Sequence, residues 1–300
     1  MKVVLAGGSG ALGRRLGEDL QSRGHEVVVL TRRTRPGPLR QVEWDGRNVG
    51  PWSVELEGSA VINLAGELVD RRPTAANVEL LTRSRVEPTR ALVEAGRRLG
   101  SPVPVWLQMS TLAIYGDAGE EVLDESAPPA AGPPQMAGVA KAWEAAVEGA
   151  NCDRLVILRT GIVLDRDTPA LDRLFGLARW GLGGRVGPGT QWVSWIHVDD
   201  WLALVHLLLQ TDRAGLAGVV HATGPNPVRN AELMAALRKT LRRPAAPPTP
   251  RPLVRIGAMV LRTDPALALT GRRCVPRRLL ETGFEFGHPD IEEALADLRP

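Results

Sequence analysis

Residues 3–30 read Val-Val-Leu-Ala-Gly-Gly-Ser-Gly-Ala-Leu-Gly-Arg-Arg-Leu-Gly-Glu-Asp-Leu-Gln-Ser-Arg-Gly-His-Glu-Val-Val-Val-Leu. The apolar run Val3–Ala6 has the character of a strand buried on both faces. Glycines follow at 7, 8, 10 and 13, and from Ala11 to Arg23 the leucines at 12, 16 and 20 fall on one helical face. Gly24 is placed to end that helix, and residues 26–30 form a second apolar run. Strand, glycine turn, helix and strand within about 30 residues make a βαβ unit, whose crossover is right-handed.

The alternation continues outward. Residues 60–65 and 103–109 read as strands, 75–99 as one long helix or two joined ones, 135–148 as a helix and 155–158 as a strand. A polar, Pro-rich loop is expected over 116–134. Repeated strand and helix imply a Rossmann-type α/β fold, a doubly wound parallel sheet covered on both faces. From Asp165 the rhythm changes: 181–189 is glycine-rich, 192–198 reads as a strand entering a helix at 200–210, and 230–241 reads as a further helix. Pro244, Pro247, Pro248, Pro250 and Pro252 stiffen a connector. Beyond it come the apolar run 253–261, an irregular basic stretch and a closing helix at 291–298. The expected division is a cofactor-binding domain of residues 1–165 and 193–224, with a smaller lobe of 166–192 and 225–300 on the substrate side.

Three hundred residues with 44% apolar and 24% charged side chains suffice for a sizeable core. The 37 basic and 34 acidic residues nearly cancel, and no Lys/Arg patch is expected without acids beside it. That argues against a nucleic-acid partner. Two cysteines give neither a disulfide framework nor metal-ligand spacing, so no metal is expected. The short apolar run before Gly7 is no signal peptide, and 201–209 is far below the roughly 20 residues of a membrane span. The expected setting is cytoplasmic, without a membrane partner.

Gly7, Gly10 and Gly13 at the first strand-to-helix turn carry the strongest chemical signal. Such a turn lets backbone approach a pyrophosphate, and the helix N-terminus offers it free N–H groups and a positive dipole end. Ser9, Ala11 and Leu12 belong to the same expected site. The second strand runs into Thr31, Arg32 and Arg33 with no acid before Glu43. An acid there would bond the ribose 2′-hydroxyl of NAD; an Arg accommodates a 2′-phosphate, so the expected cofactor is NADP(H).

With these motifs, the chain resembles an atypical extended short-chain dehydrogenase/reductase. More narrowly, it is similar to the nucleoside-diphosphate-sugar epimerase-like subfamily that carries its own C-terminal extension. The matching pieces include Gly7–Gly13, Trp44-Asp45, residues 61–67, Ser84-Arg85-Val86, Trp143-Glu144, the run 195–200 and residues 283–286. The resemblance implies Asp45 near an adenine and Asn63, Leu64, Ala65 and Gly66 lining the cofactor. It also implies a Tyr-x-x-x-Lys pair, in which the ammonium lowers the phenol's pKa and holds the nicotinamide ribose. Lys141 is one of only three lysines and lies on the matching helix, but Ala137 stands where the Tyr would be. The single tyrosine, Tyr115, follows Ser110 and Thr111; either hydroxyl can orient a substrate, and Tyr115 is a candidate replacement acid or a pocket wall. Glu67 and Glu144 are weaker acid-base candidates, and His197, Asp199 and Asp200 read as a buried histidine and helix caps.

Arg185, Gln191 and Trp192 match the loop that supplies a substrate wall in related enzymes. Arg can pair a phosphate or carboxylate, and Trp can stack on a sugar or base, while Trp195 reads as core. The expected activity is hydride transfer between NADP(H) and a sugar nucleotide or small polar carbonyl. The alternative is an NADPH-binding sensor with little or no turnover. Superfamily members often dimerise through the helices that match 75–99 and 135–148.

Overall fold

A computed structural model of the chain describes residues 1–132, 135–166, 168–210 and 216–299; residues 133 and 134 of the loop expected at 116–134 lie outside these. In the first half β1 (Lys2–Ala6), α1 (Ala11–Ser22), β2 (Glu26–Thr31), β3 (Arg40–Glu43) and β4 (Ser59–Asn63) lead into the long helix α2 (Ala75–Arg97). Then come β5 (Trp106–Thr111), the short β6 (Val122–Leu123), α3 (Gln135–Ala145), β7 (Leu155–Thr160) and β8 (Ile162–Leu164). The second half holds α4 (Pro169–Arg179), β9 (Trp192–Val193), β10 (Trp195–His197), α5 (Val198–Leu209), β11 (Gly218–Ala222), β12 (Val228–Arg229) and α6 (Asn230–Thr240). It closes with α7 (Arg251–Leu261), α8 (Ala266–Leu269), β13 (Arg273–Cys274), α9 (Arg277–Glu281) and α10 (Ile291–Asp297).

Seven strands form one sheet in the order β3-β2-β1-β4-β5-β7-β11, and every pairing is parallel. The order reverses at β1, so the crevice at its carboxyl end is where such a sheet takes a ligand. Strand alternation divides the core between the faces. Val3, Leu5, Val27 and Val29 pack with Leu16 and Leu20 of α1 and Trp201, Leu204 and Leu208 of α5. Val4, Ala6, Val28 and Leu30 pack on the other face with Ala91, Leu92 and Ala95 of α2. A separate apolar cluster joins Leu171 and Phe175 of α4, Leu233 and Leu237 of α6, and Ile291 and Leu295 of α10.

Of the two forms expected for 75–99, the structure shows one helix, which runs through Pro88. In several other places the sequence expectation differs from the structure. The strand expected at 103–109 begins at Trp106, and Val103 makes only an isolated bridge to Cys152. The strand expected at 192–198 breaks at Ser194: Trp192–Val193 pairs antiparallel with β12, whereas Trp195–His197 pairs parallel with β8. The helix that follows starts at Val198, capped by His197, whose Nδ1 accepts from the Asp199 amide. Asp200 is not the cap; its carboxylate accepts from the amides of Gly287 and His288 and ties α5 to the C-terminal segment.

Candidate active site

The three glycines at the carboxyl end of β1 do different jobs. Gly7 has φ +74°, and a Cβ there would lie 2.7 Å from Cα of Ala65 in the segment after β4. A Cβ at Gly13 would lie 2.5 Å from Cα of Gly8. These two allow backbone to pass backbone. Gly10 is the N-cap of α1 with φ −70°, and its Cβ would meet nothing nearer than the Gly7 carbonyl at 3.8 Å. No side chain caps α1 among the described residues. The result is an open cradle over a helix N-terminus, flanked by exposed Ser9 and half-buried Ala11 and Leu12, which fits a pyrophosphate.

At the end of β2, the buried Thr31 hydroxyl bonds the backbone of Arg33, donating to its carbonyl and accepting from its amide. Arg32 reaches Glu67 Oε1 at 3.3 Å with a side chain 74% exposed, and Arg33 is exposed as well. Asp45 is engaged by its own turn: it accepts from the amides of Arg47 and Asn48 and from Asn48 Nδ2. The Asn48 bonds, with the Arg47 amide behind them, hold this carboxyl below the ordinary range.

Asn63 lines the crevice with backbone only, because its side chain turns into the core. Its Nδ2 donates to Thr89 Oγ1 (2.9 Å) and Gln108 Oε1 (3.0 Å), and its Oδ1 accepts from the Ala65 amide. These bonds fix Leu64, Ala65 and Gly66 beneath Gly7. Arg85 of α2 lies behind Gly66, nearly buried, donating to the carbonyls of Leu81 (3.1 Å) and Glu67 (2.9 Å) and covering the Trp143 ring at 5.1 Å. Burial pulls its pKa down to about 10, so it is still a cation at neutral pH. Its Nε has no hydrogen-bond partner among the described residues.

The sheet's carboxyl edge next to α3 holds a buried polar chain. Ser110 donates to Glu144 Oε1 at 2.5 Å, and Arg159 clamps the same carboxylate through Nε (2.9 Å) and NH2 (2.8 Å). Arg159 NH1 donates to the Tyr115 oxygen at 2.7 Å. His221 Nδ1 lies 3.0 Å from the Val275 carbonyl, so it carries the proton, and Nε2 accepts from the Tyr115 hydroxyl at 2.7 Å. Burial raises the Tyr115 pKa to about 12 against the pull of Arg159. Burial likewise lowers that of His221 to about 4. Burial works against the charge on Arg159, but bonding to Glu144 outweighs it and the guanidinium stays charged.

Thr111 differs from Ser110. It is half-buried at the strand end, and its Oγ1 accepts from the Ala113 amide. Lys141 is half-buried, with Nζ on the Ala130 carbonyl at 2.9 Å, and Ala137 is fully buried one turn before it.

The expected substrate wall is more engaged than free. Arg185 is exposed and donates to the Pro188 carbonyl. Gln191 braces α8 through the Ala268 carbonyl at 2.8 Å. The Trp192 ring is approached by the guanidinium groups of Arg229 (4.4 Å) and Arg273 (4.5 Å), and its Nε1 donates to Glu120. Two guanidinium groups thus already engage the Trp192 ring. Trp195 is core, bonded to the Asn226 carbonyl. His197, Asp199 and His288 bring donor atoms within 4.8 Å of one another, but His197 Nδ1 serves as the helix cap and its ring stacks on His288 at 3.8 Å.

Residues 3–142 match the NAD dependent epimerase/dehydratase family, and residues 249–298 match a domain of unknown function, DUF1731. The epimerase family protein SDR39U1 of Bos taurus is 32% identical over 99% of both chains. The chain belongs to this epimerase family. Another member, ML0860 of Mycobacterium leprae, is 33% identical over 98% of this chain and 94% of its own. The human epimerase family protein SDR39U1, solved with NADPH, superposes with a TM-score of 0.86 at 30% identity over 100% of this chain and 99% of that one. A Bacillus cereus UDP-glucuronic acid 4-epimerase, solved with its sugar nucleotide and NAD, shares the fold at TM-score 0.75 and 16% identity, covering 100% of this chain and 98% of that one.

Within this epimerase-family chain, sequence reading missed Arg159 and His221 altogether and took Arg85 only as part of a matching run. Each is a charged or polar residue inside or beside an apolar stretch, Leu155–Thr160 and Gly218–Ala222 for the first two. A polar side chain in a strand buried on both faces must find a partner, and that signal was available.

Proposed function

We propose that the chain is an NADP(H)-dependent oxidoreductase or epimerase that acts by hydride transfer on a sugar nucleotide or a small polar carbonyl compound. The observation that carries this reading is the pairing of an open Gly10 cradle with an exposed Arg32 at the end of β2, a strand end with no acid of its own, where a 2′-phosphate would compete with Glu67 for the guanidinium. The NADPH in the human relative supports it. NADP(H) supplies or accepts the hydride when bound. Thr111, the more accessible of the two strand-end hydroxyls, orients the substrate oxygen. Lys141 exchanges the Ala130 carbonyl for the nicotinamide ribose.

Tyr115 takes a positioning role rather than that of proton donor. Its hydroxyl is committed to His221, receives Arg159, and is 5% exposed. Through Arg159 and Glu144 it holds Ser110 and the end of β5 in place. Ala137, buried where the usual phenol would stand, favours a second reading: a protein that binds NADPH and reports its presence without turnover.

NADPH deuterated at the transferable position, offered with a panel of keto-sugar nucleotides and carbonyl metabolites, each able to accept a hydride, separates the two. Deuterium in a product is the expected result, with the rate falling about 100-fold in Thr111→Ala. Tight NADPH binding without deuterium transfer to any member of the panel supports the sensor.

A further inference from the structure

The near balance of charge over the whole chain hides a local exception that overturns the expectation of no basic patch. From Leu233 to Thr263 there is no Asp or Glu, while Arg238, Lys239, Arg242, Arg243, Arg251, Arg255 and Arg262 supply seven cations. Lys239 pairs with Glu292, and Arg238 donates to the Gly183 carbonyl. The other five form no ion pair among the described residues.

The helix within this stretch, α7, turns its apolar side outward. Leu253, Ile256, Met259, Val260 and Leu261 are 56–76% exposed, and only Ala258 is buried. At 100° per residue, Arg251 and Arg255 share one flank about 40° wide, nearly opposite Leu253 and Val260, and Arg262 is the exposed C-cap. The helix is tied down at its C-terminal end: Arg72 donates to the Met259 carbonyl, and the Thr263 hydroxyl bonds Asp70, which also pairs with Arg173. A second exposed apolar element leads into the same region. Trp180 is 85% and Leu182 60% exposed, and the chain after them runs beside 247–251, with the Thr249 amide donating to Arg185 and the Gly187 amide to Thr249.

We propose that α7 and the Trp180–Leu182 segment form a docking surface for an anionic lipid bilayer. An amphipathic helix that presents large apolar side chains on one side and arginines on the other lies in the plane of the headgroups, its apolar side among the acyl chains and its cations reaching lipid phosphates. At about 16 Å, α7 is too short to span, and no helix among the described residues is long and apolar enough to cross a membrane. Charge selects this occupant over a second copy of the chain. A two-fold contact would set the patch against itself and bring the cations Arg251, Arg255 and Arg262, unpaired among the described residues, onto their like. Nucleic acid would meet five large apolar side chains at the centre of the contact, which lipid accommodates and phosphodiester does not.

The test is flotation of the full chain with phosphatidylcholine vesicles and with vesicles of about one-third phosphatidylglycerol. The protein floats with the anionic vesicles and stays behind with the neutral ones, and raising the salt weakens the association. Met259→Glu with Val260→Glu, or Arg251→Glu with Arg255→Glu, weakens it about tenfold or more. All four side chains are exposed, so the variants keep the parent's melting temperature. Failure to float with either vesicle overturns the proposal, as does equal binding to both. A lipid-free dimer that the Met259 and Val260 substitutions dissociate assigns the face to a second copy and overturns it as well.

Discussion

Gly10 has room for a Cβ, whose nearest contact would be the Gly7 carbonyl at 3.8 Å. Its neighbours in the turn, Gly7 and Gly13, are each boxed in by backbone within 3 Å of a would-be Cβ, but Gly10 is not. Gly10→Ala therefore folds, with the melting temperature lowered by the weak N-cap alone. Its affinity for NADPH falls at least tenfold, because the methyl group occupies the approach to the pyrophosphate; titration and a thermal melt check both halves. His221 gives a second test at the same scale. Burial lowers its pKa from the ordinary 6.5 to about 4. The folded protein thus binds fewer protons than the unfolded chain between these values, and the contribution is complete above about pH 6.5 and lost as the pH falls toward 4. The total is of order 3 kcal/mol. Melting temperatures measured from pH 7 to 4.5 fall more steeply for the parent than for His221→Gln, which has no proton to gain.

Among the elements, α3, β5 and β7 meet through the Glu144–Arg159 pair rather than through apolar contact alone. The two side chains are 13% and 6% exposed, and Ser110 adds a third bond. Glu144→Ala leaves the Arg159 charge buried and unpaired, at a cost of about 3–5 kcal/mol. Replacing both, as Glu144→Leu with Arg159→Met, costs less than the single change; denaturant unfolding of the parent and the two variants measures the difference. This pair also marks where sequence reading stops. The first βαβ unit was legible because glycine placement, apolar runs and the leucine spacing of α1 all pointed the same way. The edge strand β3, Arg40-Gln41-Val42-Glu43, was missed because it is polar and half-open and so lacks a clear period. The kink at Ser194 hid two different strand pairings inside one apolar run. Glu144 and Arg159 sit 15 residues apart on a helix and a strand, and no local pattern announces that they meet.

For the whole molecule, the parallel sheet reverses its order at β1 and so places the Gly10 cradle, the end of β2 and the Leu64–Gly66 segment around one crevice. Sequence alone located all three pieces, since each follows a strand end. It did not reveal that the Asn63 side chain turns inward, or that Trp192 is approached by two arginines, because both depend on what the chain brings from elsewhere. The central claim is that this crevice takes NADP(H) and that Arg32 reads its 2′-phosphate. The most direct measurement is the dissociation constant of NADPH and of NADH, by calorimetry, for the parent chain and for Arg32→Ala. The parent binds NADPH at least about tenfold more tightly than NADH, and Arg32→Ala loses most of that difference while its NADH affinity barely changes. Equal affinities in the parent, or equal losses in the variant, contradict the claim.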